Sequence, residues 1–534
     1  MFGSIWQMSF SHNCNSVTSS NSLRYSNQMD AFLNSSFTLL SLLLMTALCC
    51  YCIRIERDWT TPLSLLCIWI IPSVILDGLY TLITGTYGVR EDGRELVDLS
   101  LLATSTTLWA VGMLSFTAAY WWSGSRKQIP KTRPQARSAY HKANSLAESR
   151  LERNHTKTRQ VVESLQKTAE YKNMLPTQRS TFNVIMGVCA VASLAALLGL
   201  VVRARSMGIP LVEMSGTRNL VAGFGGGPLL MALQLYKFAL LLYMFHQFRA
   251  HSINTPAILA NALLVCSLDL FIGSRSAMIN GFILPAMIGY HVMYRRINLW
   301  KMIAPAVLLV LILSPLYRSL TRDIYFSKNI GRSTAEVVSG NFQTVPAMIF
   351  GGFEISSLDA TMDVVLKYKD SSERHQGATF LMALSSLIPR GFWNDKPFGG
   401  ASTVYTEEFY PANYGQARAE LLTSFVGELF MNFGMLTIPV GFALVGAVYR
   451  SLYRWLREGA NSMSCLALLV YTTFALRLFN LLRGDTYNFT SQVILNVLVT
   501  SLVLMLYCIV NEVMQLVRAQ APRTLRAVVQ EILV

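Results

Sequence analysis

Charge is scarce in this chain. Only 14% of its 534 residues are Asp, Glu, Lys or Arg, against roughly a quarter in average soluble proteins. With 52% of the residues hydrophobic, that scarcity excludes a soluble protein of this size and equally a disordered chain, which would lack apolar residues. Cysteine is too thin for a disulfide scaffold. Cys49, Cys50, Cys52, Cys67, Cys189, Cys266, Cys465 and Cys508 lie in apolar runs, where a thiol behaves as a small hydrophobe, and only Cys14 falls in a polar segment. There is no G-x-x-x-x-G-K-[ST] loop to suggest an ATP-driven pump. Neither H-E-x-x-H nor a pair of Cys-x-x-Cys units at ligand spacing is present, so no metal and no other cofactor is indicated. The run Gly223, Gly225, Gly226, Gly227 follows no strand and precedes no Lys in register, and reads as a flexible helix entry. Lys and Arg number 45 against 30 Asp and Glu, but in so apolar a chain the excess of +15 points to a membrane and not to nucleic acid.

A helix crosses the bilayer core with about 20 mostly apolar residues. Eleven stretches qualify: 36–53, 63–84, 99–122, 182–202, 229–248, 254–272, 276–294, 302–317, 421–449, 464–482 and 489–511. The sixth and seventh must form a tight hairpin, and the ninth is long enough to tilt or break. The expected fold is an all-α polytopic membrane protein with about 11 transmembrane helices and one large extracytoplasmic loop. Its order is a polar N-terminal tail (1–35), transmembrane helices 1–3 (36–122), a basic cytoplasmic helical loop (123–181), helices 4–8 (182–317), the large loop (318–420), helices 9–11 (421–511) and a cytoplasmic tail (512–534). No removable signal peptide is read at the N-terminus. Orientation follows from Lys and Arg, which collect in the cytoplasm. Residues 123–181 hold 13 of them against 4 Glu, whereas residues 318–420 hold 10 against 11 acidic residues.

Ionisable residues inside spans are costly and usually face the bundle interior. Asp77, Lys237, Asp269, Glu428 and Arg477 are such residues, and this topology puts all five in the outer half of the bilayer. Mutual pairing for packing is the alternative for each. Arginines gather on the same side: Arg218, Arg275, Arg318, Arg322, Arg390, Arg418 and Arg483, the last beside Gly484 and Asp485. A planar, permanently charged fork suits phosphate oxygens, so an anionic ligand is expected there. The large loop adds Trp393, Lys396 and aromatic residues such as Tyr405, Phe409, Tyr410 and Tyr414, which could stack on sugar rings or simply fold the loop. His375 is a lone candidate base within it. His246 and His291 read as interfacial anchors.

Gly-Ser-Arg at 273–275, Ile-Pro-Arg with Trp-Asn-Asp-Lys-Pro at 388–397, Ser-Phe-Val-Gly-Glu-Leu-Phe-Met-Asn-Phe-Gly at 424–434 and Arg-Gly-Asp at 483–485 occur in that order around one large loop. In this the chain, over roughly 200–500, resembles the polytopic oligosaccharide repeat-unit polymerases of the Wzy type, which build O-antigen and related bacterial polysaccharides. Asn394 stands where that pattern commonly has proline, and residues 1–180 match nothing in it. The resemblance implies an undecaprenyl-diphosphate-linked oligosaccharide as substrate, membrane lipids and a polysaccharide chain-length regulator as possible partners, and a place in the bacterial inner membrane with the site facing the periplasm. It implies glycosyl transfer without a metal. Arginines hold the departing diphosphate, and a carboxylate, in the order Glu428, Asp395, Glu420, takes the acceptor proton. Asp269 is expected to orient Arg275. An O-antigen ligase, with the same donor and another acceptor, and a non-enzymatic flippase or exporter of lipid-linked oligosaccharide remain open alternatives. So does a metal-dependent transferase using Glu91 and Asp92.

Overall fold

The computed structural model describes residues 16–56, 58–87, 95–96, 98–125, 180–208, 227–250, 253–271, 275–294, 357–388, 392–393, 396–397, 399–411, 421–458 and 465–520. In chain order the helices are α1 (Ser16–Glu56), α2 (Pro62–Ile70), α3 (Leu76–Thr84), α4 (Leu99–Ser125), α5 (Ser180–Ser206), α6 (Gly227–Ala250), α7 (Thr255–Phe271), α8 (Arg275–Met278), α9 (Leu284–Tyr294), α10 (Leu358–Lys367), α11 (Ala378–Ser385), α12 (Ala401–Phe409), α13 (Phe425–Phe433), α14 (Thr437–Glu458), α15 (Cys465–Arg483) and α16 (Thr486–Gln520). Strands are confined, among the described residues, to a two-residue antiparallel ladder of β1 (Thr86–Tyr87) with β2 (Glu95–Leu96), pairing Thr86 with Leu96.

Seven described helical segments are long and apolar enough to cross a membrane: Met29–Glu56, Pro62–Thr84, Leu99–Ser123, Ser180–Ser206, Pro228–Ala250, Cys465–Arg483 and Thr486–Leu516. Large apolar side chains on the outer faces of α1, α5 and α16, such as Phe32, Leu198 and Leu502, are exposed, as helices surrounded by hydrocarbon allow. This is a helical, multi-pass membrane protein. The seven coincide with the first five and last two of the eleven stretches read from the sequence. The sixth is α7, 17 residues long and therefore short for a span. The seventh is α8 and α9, which do follow α7 after a three-residue gap. The eighth, at 302–317, and the basic loop at 126–179 lie outside the described residues.

Two of the stretches are not plain α-helix. A π turn, Ile71–Ile75, joins α2 to α3, with the Leu76 N–H donating to the Ile71 carbonyl. Pro72 sits in it; proline lacks an N–H and crowds the carbonyl four residues back, and the wider turn relieves both problems. A second π turn, Ile279–Ile283, joins α8 to α9 just ahead of Pro285. The ninth stretch differs from the single span expected. It breaks at Gly434, which adopts φ 82°, into the 9-residue α13 and the 22-residue α14. Nine residues rise about 14 Å, less than half of the hydrocarbon core, so α13 does not cross it.

Close packing of α14 on α4 depends on missing side chains. A Cβ on Gly446 would stand 2.5 Å from the Phe116 carbonyl oxygen, and one on Gly112 3.1 Å from the Phe442 ring; small residues let helix backbones approach in this way. The far end of α14 is basic, with Arg450 stacked 4.9 Å over the Tyr120 ring and Arg454 donating to the Ser123 carbonyl at 2.6 Å. Among the described residues three apolar cores result: one joins α1, α2, α4, α10, α12 and α13, another α5, α6, α7, α9 and α16, with α14 and α15 contributing to both, and a small third lies between α5 and α6. The eight described cysteines are free thiols, Cys49, Cys52, Cys67 and Cys189 among them buried as the composition suggested.

Candidate functional site

The end of the bundle opposite Arg450 holds a buried polar centre at the N-terminus of α16. Asp485 caps that helix, one oxygen accepting from the Asn488 N–H at 2.7 Å. Its other oxygen accepts from the Ser402 N–H at 2.7 Å, so that one carboxylate also serves the first turn of α12. Glycine is needed at 400 for that approach, because a Cβ there would lie 2.9 Å from Asp485 Oδ2 and 2.3 Å from the Tyr487 Cβ. Glu428, in the first turn of α13, is fully buried and supplies the second carboxylate. Its Oε2 accepts from both the Thr486 N–H and hydroxyl at 2.7 Å, and its Oε1 accepts from the Thr379 hydroxyl of α11 at 3.1 Å. Neither carboxylate has an ion pair among the described residues; the N–H groups and the positive end of the helix dipole offset only part of the burial, which together with the neighbouring Asp485 pushes the Glu428 pKa up to about 8.

Local structure fixes Glu428. Ser424, at φ 67°, caps α13 by accepting from the Gly427 N–H at 3.0 Å, while its own N–H donates to the Arg483 carbonyl at 3.1 Å. Its hydroxyl meets that of Thr361, which in turn accepts from the Trp109 indole at 3.1 Å. On the other side the Asn432 amide donates to Thr379 at 2.8 Å and accepts from the Gly377 N–H at 3.0 Å. The segments around 379, 402, 424–434 and 483–486 thus form one hydrogen-bonded unit.

A second, more open cluster lies on the same unit. The Tyr368 hydroxyl donates to Glu408 Oε2, which also accepts from Lys367 at 2.7 Å, and His375 Nε2 stands 2.9 Å from the Tyr368 oxygen and 3.6 Å from Glu408 Oε1. The His375 N–H donates to the Met431 carbonyl at 3.0 Å, tying this cluster to α13. Burial pushes the Tyr368 phenol upward and the Glu408 carboxylate adds to the effect, so the phenol keeps its proton. At Glu408 burial alone would raise the pKa, but hydrogen bonds from His375, Lys367 and Tyr368 bring it down to about 2. Because the one tyrosine proton is used on Glu408, the histidine Nε2–H is the donor to the tyrosine oxygen, and in the neutral ring Nδ1 carries the lone pair.

Of the charges expected inside the bundle, Asp77, Lys237 and Asp269 are buried. Lys237 pairs with Asp269 at 2.7 Å and also donates to the Ala277 carbonyl at 3.3 Å, beside the second π turn. The described partner of Asp269 is therefore Lys237, and the Arg275 side chain lies outside the described residues. Arg477 donates to Asn496 at 3.4 Å. His246 is buried against Phe182, and His291 lies 3.6 Å from Asp58. Tyr405 and Tyr410 fold the loop by donating to Asp363, at 2.5 and 3.0 Å, whereas Trp393 stays exposed. Lys396 turns back to the Ile388 carbonyl at 2.9 Å, and the Arg483 guanidinium stacks 5.8 Å from the Phe479 ring. Arg218, Arg318, Arg322, Arg390, Arg418, Asp395, Glu420, Glu91 and Asp92 lie outside the described residues. Sequence reasoning missed Tyr368, Glu408, Thr379 and Ser402 as partners. Asp485 stood among the ligand-binding candidates, but Gly-Asp-Thr ahead of an apolar run also carried a readable helix-cap signal. Compared with known proteins, the chain matches no family profile, no curated protein and no solved structure.

Proposed function

We propose that this protein polymerises polyprenyl-diphosphate-linked oligosaccharide repeat units at the outer face of a bacterial cytoplasmic membrane, with the topology of about 11 spans argued above. One observation carries the reading. The segment 424–434 and the Arg-Gly-Asp turn, far apart in the chain and two of the four motifs behind the Wzy resemblance, are joined directly through Glu428, Thr486, Ser424 and Arg483. Thr379, nine residues ahead of the motif at 388–397, closes the same carboxylate.

In the proposed reaction the acceptor hydroxyl oxygen bonds to the anomeric carbon of the donor chain while the bond from that carbon to the diphosphate breaks. The electron pair leaves with the diphosphate, whose charge falls to arginines such as Arg483, Arg275, Arg318, Arg390 and Arg418. We assign the acceptor proton to His375 Nδ1 in preference to Glu428. His375 is about a quarter exposed and oriented by Tyr368 and Glu408, whereas Glu428 is fully enclosed with three donors already on its two oxygens. Glu428 is then the clasp that holds the site together.

The glycan ladder of a deletion strain tests this reading. Single repeat units attached to the lipid core mean a lost polymerase; the absence of every repeat unit means a ligase or a flippase and overturns the proposal.

A further inference from the structure

Residues 357–393 present two different faces to their surroundings. Through the turn after α10, exposure falls on Lys367, Lys369, Asp370, Ser371 and Glu373, a surface made for water. Beyond Gly377 it falls on Leu381 (68%), Leu384 (59%), Leu387 (57%) and Phe392 (87%), with no charged side chain from 378 to 388. Leu381 and Leu384, three residues apart, lie on one side of α11, and Leu387 follows in the turn just after it. Its opposite side carries Thr379, buried and bonded to Glu428.

The position of α11 says what covers its apolar side. It packs along α16, a helix long and apolar enough to cross the membrane, whose own Val497, Leu498 and Leu502 are exposed. At its start the Phe380 ring stacks on Phe433, at 5.9 Å, beside the exposed Met435 and Leu436. The leucine face thus continues a surface that already belongs to hydrocarbon, and an apolar patch of this kind is not left to water in a stable protein.

We infer that α11 is seated in the bilayer, with its leucine face against lipid acyl chains, although it lies in what the sequence assigns to an aqueous loop. A helix is about 10 Å across, so α11 is a single-layer wall between hydrocarbon and the Glu428 centre. The inference does not depend on the reaction proposed above.

Spin labels at Leu384→Cys and Leu387→Cys, in full-length protein whose Cys14, Cys50 and Cys508 are replaced by Ser, in nanodiscs of phosphatidylethanolamine and phosphatidylglycerol, test it. Leu498→Cys serves as the lipid reference and Ser371→Cys as the water reference; all four positions are exposed, so the fold tolerates the labels. Accessibility to oxygen should be high and to a water-soluble nickel chelate low, as at position 498. Chelate access matching position 371 would overturn the inference. So would low access to both reagents, which would mean that protein, such as a second copy of the chain, covers the face. Polymer ladders are unaffected by either result, so the test fails or succeeds apart from the polymerase reading.

Discussion

Glu428 and Glu408 are the same side chain in two surroundings, and the contrast separates holding from reacting. Glu428 is sealed, accepts only from neutral donors and sits where the first turn of α16 supplies partial positive charge. Glu408 is partly open, accepts from a lysine and a tyrosine, and has the His375 ring 3.6 Å away. A carboxylate away from water must have its lone pairs filled, or its burial destabilises the fold. With three donors on its two oxygens and no exposed surface, Glu428 is out of reach of a substrate proton. A carboxylate at the edge can orient a histidine that keeps one nitrogen open.

The sharpest way to break this comparison is at Glu428 itself. Glu428→Ala strands the Thr486 N–H, the Thr486 hydroxyl and the Thr379 hydroxyl at roughly 1–3 kcal/mol each, so no folded protein should be recovered in detergent. Glu428→Gln should behave differently. Its amide oxygen can keep both Thr486 donors while its NH2 group turns to the Thr379 oxygen, so size-exclusion profile and polymer ladder should both stay near normal. A Gln variant that folds but makes no polymer would return the role of base to Glu428.

That carboxylate was legible from the sequence as an acid inside an apolar run, and the seven spanning helices as the runs themselves. Its role was not legible, because the donors come from α11 and α16, and a left-handed Ser424 or Gly434 leaves no trace in hydrophobicity. The ninth run read as one span for that reason. Lys237 and Asp269 were visible as charges, but their partnership depends on how α6 and α7 lie against each other, which periodicity does not encode. His375 was visible as a lone base. Tyr368 and Glu408, which give it a defined tautomer, looked like ordinary loop residues until α12 was packed beside α10.

Next in size is His375. Replacement by Ala removes the proposed base and should lower polymer formation by about 10²–10⁴-fold, with the protein extracted in normal amount because the side chain is not part of the sealed centre. The Met431 carbonyl still receives the residue 375 N–H, so α13 stays in place. Full polymer length in the His375→Ala strain would leave Glu408 and its partners as a structural cluster only.

The smallest effect is expected at Lys367, and it sharpens the difference between the two glutamates by pH. Glu408 has its pKa lowered from 4.5 to about 2, so its folded-state interactions contribute stability that is fully present above about pH 4.5 and lost as pH falls toward 2. Lys367 is one of the three groups responsible, yet it is partly exposed, and such a pair contributes about 0–1 kcal/mol. Lys367→Met should therefore leave the melting temperature at neutral pH almost unchanged and bring the acid-induced loss of stability to a higher pH. Tyr368→Phe, which removes a donor from the same oxygen, should move the acid transition in the same direction. If neither substitution moves it, Glu408 does not control the acid limb and the open cluster is held by packing around Tyr405 and Phe409 instead. A variant that loses stability equally at all pH values points the same way, because an ion pair with a lowered carboxylate pKa must weaken more in acid than at neutrality.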